Sequence, residues 1–422
     1  MHRFTRDLSD RPQIVHYYVD KCGLTWEEAS QIAYCIEIEN ASWDIGVYAA
    51  IVNALNEAHH LPQYDLNRFA RIIELLMCFM VINDEFSHDL FNNFVRKYEM
   101  SALTDGVSSW EIDEAEKLID NTFIDAFSRS IVQSRRYSSW LTDETDVQAS
   151  MIMFIGYEKL RLVDYMRTDW DNPYADEDAP FATFEVVVDL SSNPLPVFYD
   201  FRPGSVNQME GIHSLLSRLG DYGLTADDVD VYMDLDEPEV KDLDNMAHQD
   251  CSFVARLKLD SNAARSAAQE GIDAGLFTQF ELEAGIGIMG HCAKQLHSRK
   301  SLAQVTYHYS YDGETDGFGS FENFDDFYEE EQGLMLRGIS ILATNTPRPS
   351  GWDPYRIFEM SENPDTELII RDDLLMYCAS GETTAQMKSR FHLIFGSLML
   401  KAAFEYRSLQ GKELMMSEYH AR

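Results

Sequence analysis

Three aspartates at the ends of predicted strands have the residue type and spacing best suited to chemistry in this sequence. Asp189 stands near the end of one predicted strand, and Asp234 and Asp236 stand at the end of the next. A predicted helix joins the two strands, so we expect them to run parallel and to end at the same edge of one sheet. Carboxylates gathered at such an edge could hold two divalent metal ions and position phosphate groups for transfer.

The elements that must position these aspartates follow the order β-α-β-β-α-β. We expect strands at 183–190, 229–235, 252–259 and 278–282, and helices at 206–219 and 262–270. This order is the ferredoxin-like plan, in which one antiparallel sheet carries both helices on one face. The acidic strand ends in that plan resemble the palm of polymerases and nucleotide cyclases. The resemblance implies a metal-dependent nucleotidyl transferase or cyclase that uses Mg²⁺ with a nucleotide, although the connection at 237–250 is long for a tight hairpin.

A glycine motif downstream suggests a different cofactor. Gly285, Gly287 and Gly290 lie between the last of those strands and a predicted helix at 291–298, and Asp312 follows the next predicted strand. The pattern resembles the Rossmann fingerprint, which implies a dinucleotide with its pyrophosphate at a helix N-terminus and its ribose held by an acid. The strand before the motif alternates polar and apolar residues, whereas a central parallel strand is apolar throughout. A dinucleotide-binding module is therefore the second alternative.

Shorter patterns could bind metal ions. The sequence Glu-x-x-His occurs at 57–60, 85–88 and 210–213, and a carboxylate-bridged metal pair in a helical bundle needs two such motifs with two further acids. The acids at 312–317 resemble the opening of a calcium loop, but Asn323 stands where that loop has its bidentate carboxylate. Exposed surface and a solvated loop are the favoured explanations.

The charge of the chain restricts the classes of partner. Asp and Glu number 72 against 34 Lys and Arg, for a formal net charge of −38. Such a chain repels phosphate backbones, so direct binding to DNA or RNA is disfavoured and a basic protein partner is favoured. Two explanations stay open because the acids are spread along the whole chain. They could mimic nucleic acid towards a protein of the nucleic-acid or translation machinery, or they could serve solubility alone.

The cysteines and the apolar segments indicate the compartment. The six cysteines are far apart and form no Cys-x-x-Cys pair, which favours free thiols over disulfides or a zinc site. The first residues contain no apolar signal segment, and no apolar run is long enough to cross a bilayer. The sequence therefore predicts a cytoplasmic protein without a membrane partner.

The pattern of elements predicts an α+β protein with three parts. We expect an all-helical domain at 1–168, an acidic proline-containing linker at 169–180, a ferredoxin-like domain at 181–290 and a mixed C-terminal region at 291–422 that ends in helices. In the first part, Thr25 with Glu28 forms a capping box that predicts a helix start. Further helices are expected at about 145–167 and at about 384–409, the latter from apolar residues at helical spacing.

The favoured interpretation is a non-enzymatic, acidic interaction protein that docks on a basic partner. The charge carries this interpretation, together with the incomplete sets of catalytic residues in the sequence. The first alternative is the nucleotide enzyme that uses Asp189, Asp234 and Asp236. The favoured interpretation needs no cofactor, and the first alternative needs Mg²⁺ with a nucleotide.

Overall fold

Two compact units make up the chain in the computed structural model. The helical unit comprises residues 1–146, 157–205 and 364–422, and the sheet unit comprises 147–156 and 206–363. The structure describes residues 11–83, 86–97, 106–140, 151–161, 181–189, 195–203, 208–224, 229–235, 239–247, 252–258, 261–264, 292–297, 304–311, 339–345, 377–378 and 383–420.

Among the described elements, seven helices come before the first strand. In chain order the described elements are α1 (Arg11–Cys22), α2 (Trp26–Asp44), α3 (Val47–His59), α4 (Gln63–Ile82), α5 (His88–Lys97), α6 (Ser109–Leu118), α7 (Asn121–Trp140), β1 (Met151–Arg161), β2 (Phe181–Asp189), β3 (Leu195–Pro203), α8 (Gln208–Asp221), β4 (Val229–Leu235), α9 (Val240–Ala247), β5 (Ser252–Leu257), β6 (Cys292–His297), β7 (Gln304–Tyr311), β8 (Ile339–Thr344) and α10 (Thr384–His420).

Capping boxes begin two helices of the helical unit. At α2 the Thr25 backbone N–H donates to Glu28 Oε2 at 3.0 Å, and the Glu28 backbone N–H donates to Thr25 Oγ1 at 3.2 Å. These bonds satisfy two N–H groups that have no carbonyl partner in the first turn. The predicted capping box is confirmed, and α2 extends to Asp44. Ser108 and Glu111 form the same box at α6.

Helix α10 lies in the core of the helical unit, against α2, α4, α6 and β3. Every residue from Phe391 to Leu400 is buried, so this stretch packs on all sides. A Cβ atom built on Gly396 would lie 2.4 Å from Sδ and Cε of Met77 on α4, which shows how closely the two helices approach. The helix predicted from apolar spacing is confirmed, and it extends to His420.

The helical unit also contains a small antiparallel sheet of β2 and β3. Asp189 pairs with Leu195 in its register, which shifts between Val187 and Val188. Strand β3 packs against α7 and α10. Phe198 is fully buried, as expected for a strand covered by helices.

The sheet unit contains six strands in the order β1-β4-β5-β8-β7-β6. Strand β4 runs parallel to both neighbours, with Val231 opposite Met153 on β1 and opposite Phe253 on β5. The pairs β5–β8, β8–β7 and β7–β6 are antiparallel. Helix α9 connects β4 to β5 and contacts β5 and β7.

The helices and two small sheets fit the predicted α+β class, but the ferredoxin-like plan is not confirmed. That plan needs an antiparallel hairpin between β4 and β5, whereas these strands pair in parallel. The long connection explains the difference, because it contains α9 and a helical crossover joins parallel strands. The first strand of the plan, β2, pairs instead with the strand that follows it.

Two segments predicted as helices are strands. The segment at 145–167 contains β1, whose Met-Ile-Met-Phe-Ile run pairs with β4 over Met151–Ile155. A short apolar run rich in branched and aromatic residues suits a buried strand as well as a helix, and pairing decides between them. The segment at 291–298 contains β6, which pairs with β7 over its whole length.

The compact units divide the chain at points other than the predicted ones. The predicted boundaries at 168, 180 and 290 do not coincide with the units, because the C-terminal helix joins the N-terminal helices in one unit. Those boundaries stay predictions.

Among the described helices, none combines the length and the apolar composition that crossing a bilayer requires.

Candidate functional site

The structure places two of the three strand-end aspartates in different units. Asp189 ends β2 in the helical unit, where it is fully buried. Asp234 lies on β4 of the sheet unit, in register with Arg256 on β5. Asp236 lies outside the described residues. The gathering of these carboxylates around metal ions therefore stays a prediction.

The glycine motif does not lead into the helix that the Rossmann resemblance needs. Gly285, Gly287, Gly290 and Asp312 lie outside the described residues. The segment after the last glycine contains strand β6 rather than a helix. A pyrophosphate in such a site lies on backbone N–H groups at a helix N-terminus, and a strand paired with β7 does not offer that group of donors. The predicted helix at 291–298 was wrong, whereas the dinucleotide site itself stays a prediction.

The Glu-x-x-His pairs do not form a metal site among the described residues. Glu57 accepts a hydrogen bond from an arginine of α7 at 3.1 Å, whereas His60 terminates α3 with a φ of 49°. Glu85 and the acids at 312–317 lie outside the described residues, and the pair at 210–213 lies on α8. Within the described ranges, no three His, Cys, Asp or Glu side chains are grouped to hold a metal ion.

Exposed aromatic side chains are the most pronounced surface feature of the helical unit. Among the described residues, the large exposed hydrophobic side chains are Tyr17, Trp26, Tyr34, Trp43, Tyr64, Leu90 and Trp110. Tyr64 on α4 and Trp110 on α6 are the most exposed of them, at 74% and 64%. Tyrosine and tryptophan are the residues that protein interfaces favour, because they bury a large area with little loss of conformational entropy.

Helix α4 is joined to the start of α6 by an ion pair. Arg68 lies one turn after Tyr64 and reaches Glu111, with Nε 2.6 Å from Oε1. Its guanidinium also donates to the Gly106 carbonyl at 3.4 Å. Glu111 is the acid of the α6 capping box, so a single carboxylate holds Ser108, the helix start and α4 together. Trp110 stands immediately before this residue.

Helix α5 is joined to α6 at two points. Asn92 Oδ1 accepts a hydrogen bond from the Val107 backbone N–H at 3.0 Å. His88 Nδ1 lies 3.9 Å from Asp113 Oδ1. The starts of α4, α5 and α6 are thereby held as one assembly.

The outer face of α6 carries one tryptophan and three charged side chains. Residues three and four positions apart lie on one face of a helix, so Trp110, Asp113, Glu114 and Lys117 form one stripe. The Asp113 and Glu114 side chains are 47% and 35% exposed. Lys117 Nζ lies 3.3 Å from Glu114. We define the α6 surface as Tyr64, Trp110, Asp113 and Glu114.

Glu111 is held in its charged form beneath this surface. Partial burial raises its pKa, but hydrogen bonds from the backbone and hydroxyl of Ser108 and from Arg68 outweigh burial, and the net pKa is lowered. The carboxylate therefore stays ionised at neutral pH. A permanent charge at the first turn also interacts favourably with the positive end of the helix dipole.

The opposite face of α6 carries a buried ion pair. Glu116, which is 1% exposed, accepts from Arg390 Nε of α10 at 3.2 Å and from the Tyr377 hydroxyl. Its backbone carbonyl accepts from Ser389 Oγ at 2.6 Å. Burial raises the pKa of Tyr377 well above its ordinary value, and the neighbouring Glu116 adds to the shift. This network fixes α6 to α10 within the core.

A buried histidine follows on α10. His392 is fully buried, and its Nδ1 shares a hydrogen bond of 3.1 Å with the Tyr199 hydroxyl. Its ring lies edge-on to Phe127 at 4.7 Å, and Nε2 has no hydrogen-bond partner among the described residues. Burial lowers the pKa of His392 to about 3, so the imidazole is neutral at physiological pH.

Comparison with known proteins adds no assignment, because no family model and no curated sequence matches this chain.

The sequence analysis did not predict the surface around Trp110, although two signals indicated it. Ser108 with Glu111 is a capping box in the sequence. Trp110 then shares its helix face with Asp113 and Glu114 rather than with apolar residues.

Proposed function

We propose that the protein acts by binding rather than by catalysis, as an acidic interaction protein that docks on a basic protein partner. One observation carries the proposal: the helical unit of this strongly acidic chain exposes large aromatic side chains, and four of them are followed in the sequence by an acid. Trp26 precedes Glu27, Trp43 precedes Asp44, Tyr64 precedes Asp65 and Trp110 precedes Glu111.

This combination suits recognition of lysine and arginine. The aromatic rings supply desolvated contact area and faces that attract cations. The surrounding carboxylates steer a basic partner towards the surface and select it against acidic competitors. The formal net charge of −38 extends the same field over the chain and opposes direct contact with nucleic acid.

Basic proteins that normally hold DNA or RNA are the partner class that the charge favours. A component of the nucleic-acid or translation machinery is the proposed partner, with the acidic surface standing in for phosphates. We place the protein in the cytoplasm, and the described free thiols Cys35, Cys78 and Cys378 support a reducing compartment.

A peptide array tests the binding proposal. The full chain is applied at about 0.15 M salt to peptides of equal length that differ in net charge, and labelled polyglutamate serves as the control for charge alone. We expect the chain to prefer basic peptides that contain aromatic or aliphatic residues and to stay bound at salt concentrations that release polyglutamate. Equal behaviour of the chain and polyglutamate would refute the proposal.

A further inference from the structure

The α6 surface combines the three properties that a docking site for a basic segment needs. It exposes the two most exposed large hydrophobic side chains of the described residues, Tyr64 and Trp110. It carries exposed carboxylates, and its supporting helices are tied together by side-chain contacts. We infer that a lysine- and arginine-bearing segment of the partner docks here, an inference that rests on the proposed function.

Charge complementarity identifies the occupant. Asp113 and Glu114 follow Trp110 on the same face, and Asp65 stands next in sequence to Tyr64. A lysine or arginine of the partner can lie over an aromatic face while its head group meets a carboxylate. An acidic or phosphate-bearing partner would be repelled by the same carboxylates.

The surface is organised before any partner binds. Glu111 bonds both to Ser108 and to Arg68, and Asn92 holds the backbone of Val107. The position of Trp110 is therefore fixed by two neighbouring helices as well as by its own. A preorganised surface loses little conformational entropy on association, which favours binding.

The start of α2 is the natural comparison, because it has the same capping box and an exposed tryptophan. There the ring of Trp26 packs edge-on against His16 at 5.0 Å. The capping acid Glu28 is paired with Lys97 at 2.5 Å, and this contact lowers the pKa of Glu28 to about 2. The capping acid has a cationic partner at both helix starts, so the difference lies in the tryptophan. Trp26 already packs against an aromatic neighbour, so the start of α2 offers less to a cationic partner.

The test compares matched variants of the full chain. The probe is a fluorescent peptide that alternates lysine, arginine and leucine, at about 0.15 M salt. Trp110→Ala is matched by Trp26→Ala. Asp113→Asn with Glu114→Gln is matched by Asp20→Asn with Glu27→Gln, which removes the same charge from exposed positions on α1 and α2.

We expect both α6 variants to weaken peptide binding about tenfold and both controls to change it less than about twofold. Lys117→Gln removes a cation from the same face and is expected to tighten binding about twofold. Thermal unfolding of each variant checks that it folds, and the paired carboxylate variants keep the test valid if Trp110→Ala does not fold.

The outcomes separate this inference from the proposed function. If the α6 variants and their controls weaken binding equally, the peptide does not bind preferentially at α6 and the α6 surface is refuted, while the proposed function stands. If the unmodified chain binds the peptide no better than polyglutamate does, the proposed function fails and the inference fails with it.

Discussion

The two faces of α6 show how one short helix can serve both stability and binding. On the inner face Glu116 is buried and bonded to Arg390 and Tyr377. On the outer face Glu114 is partly exposed and paired with Lys117 at the surface. The same residue type therefore has a large structural effect at one position and little at the other, because desolvation decides what a charge contributes.

The largest expected effect on stability comes from removing Glu116 on the inner face of α6. Glu116→Ala leaves the guanidinium of Arg390 without its buried partner and should lower the free energy of unfolding by about 3–5 kcal/mol. Glu114→Ala, two positions earlier on the same helix, should lower it by less than about 1 kcal/mol. Urea denaturation of both variants measures the difference. Equal losses would contradict the contrast between the faces.

The next largest effect tests how closely α4 and α10 pack against each other. Gly396→Ala places a methyl group against Met77 and should cost about 1–3 kcal/mol, because the buried side chain must move. Met77→Ala in the same chain should recover part of that loss, which a double-mutant cycle measures. Gly220→Ala on α8 has nothing within 4 Å of the new methyl and should not destabilise. A purely additive double mutant would contradict the close approach of α4 and α10.

The pH dependence of stability reports on His392. Its pKa is lowered to about 3 in the folded state against 6.5 for the free side chain, so below pH 6.5 only the unfolded chain takes up the proton. Stability is therefore lost as pH falls from 6.5 towards 3. His392→Gln removes this component, and between pH 6.5 and about 5.5 it should lose about 1 kcal/mol less than the unmodified chain. Parallel curves in urea titrations at several pH values would exclude the buried neutral imidazole.

The smallest expected effect on stability comes from the capping boxes at the starts of α6 and α2. Ser108→Ala removes one half of the capping box and should cost about 1 kcal/mol, and Thr25→Ala at α2 should cost a similar amount. The two variants should differ in binding, because only Ser108 supports the α6 surface. Thermal melts and the basic peptide measure both properties. A binding loss of equal size in Thr25→Ala would argue against a role for the start of α6.

Local signals predicted local structure well. The Thr25–Glu28 box gave the start of α2, and the strand expected at 229–235 has those bounds in the structure. Both depend on hydrogen bonds or alternation within a few residues, which the sequence contains directly. The long C-terminal helix was found for the same reason, because its apolar spacing extends over several turns.

Pairing between distant segments could not be predicted in this way. The apolar run in β1 fits a helix as well as a strand, and only its pairing with β4 decides. The parallel register of β4 and β5 depends on α9, which lies in the connection where the ferredoxin-like plan needs a tight hairpin. The α6 surface was missed because its residues lie on two helices, α4 and α6. The ion pair between Arg68 and Glu111 joins these helices, and residue spacing does not predict such a contact.

Hydrogen–deuterium exchange of the full chain with saturating basic peptide tests the α6 surface most directly. We predict slower exchange over 106–118 and at the start of α4, and unchanged exchange over the start of α2. Protection confined to α2, or no protection over 106–118 while the peptide is bound, would contradict the account.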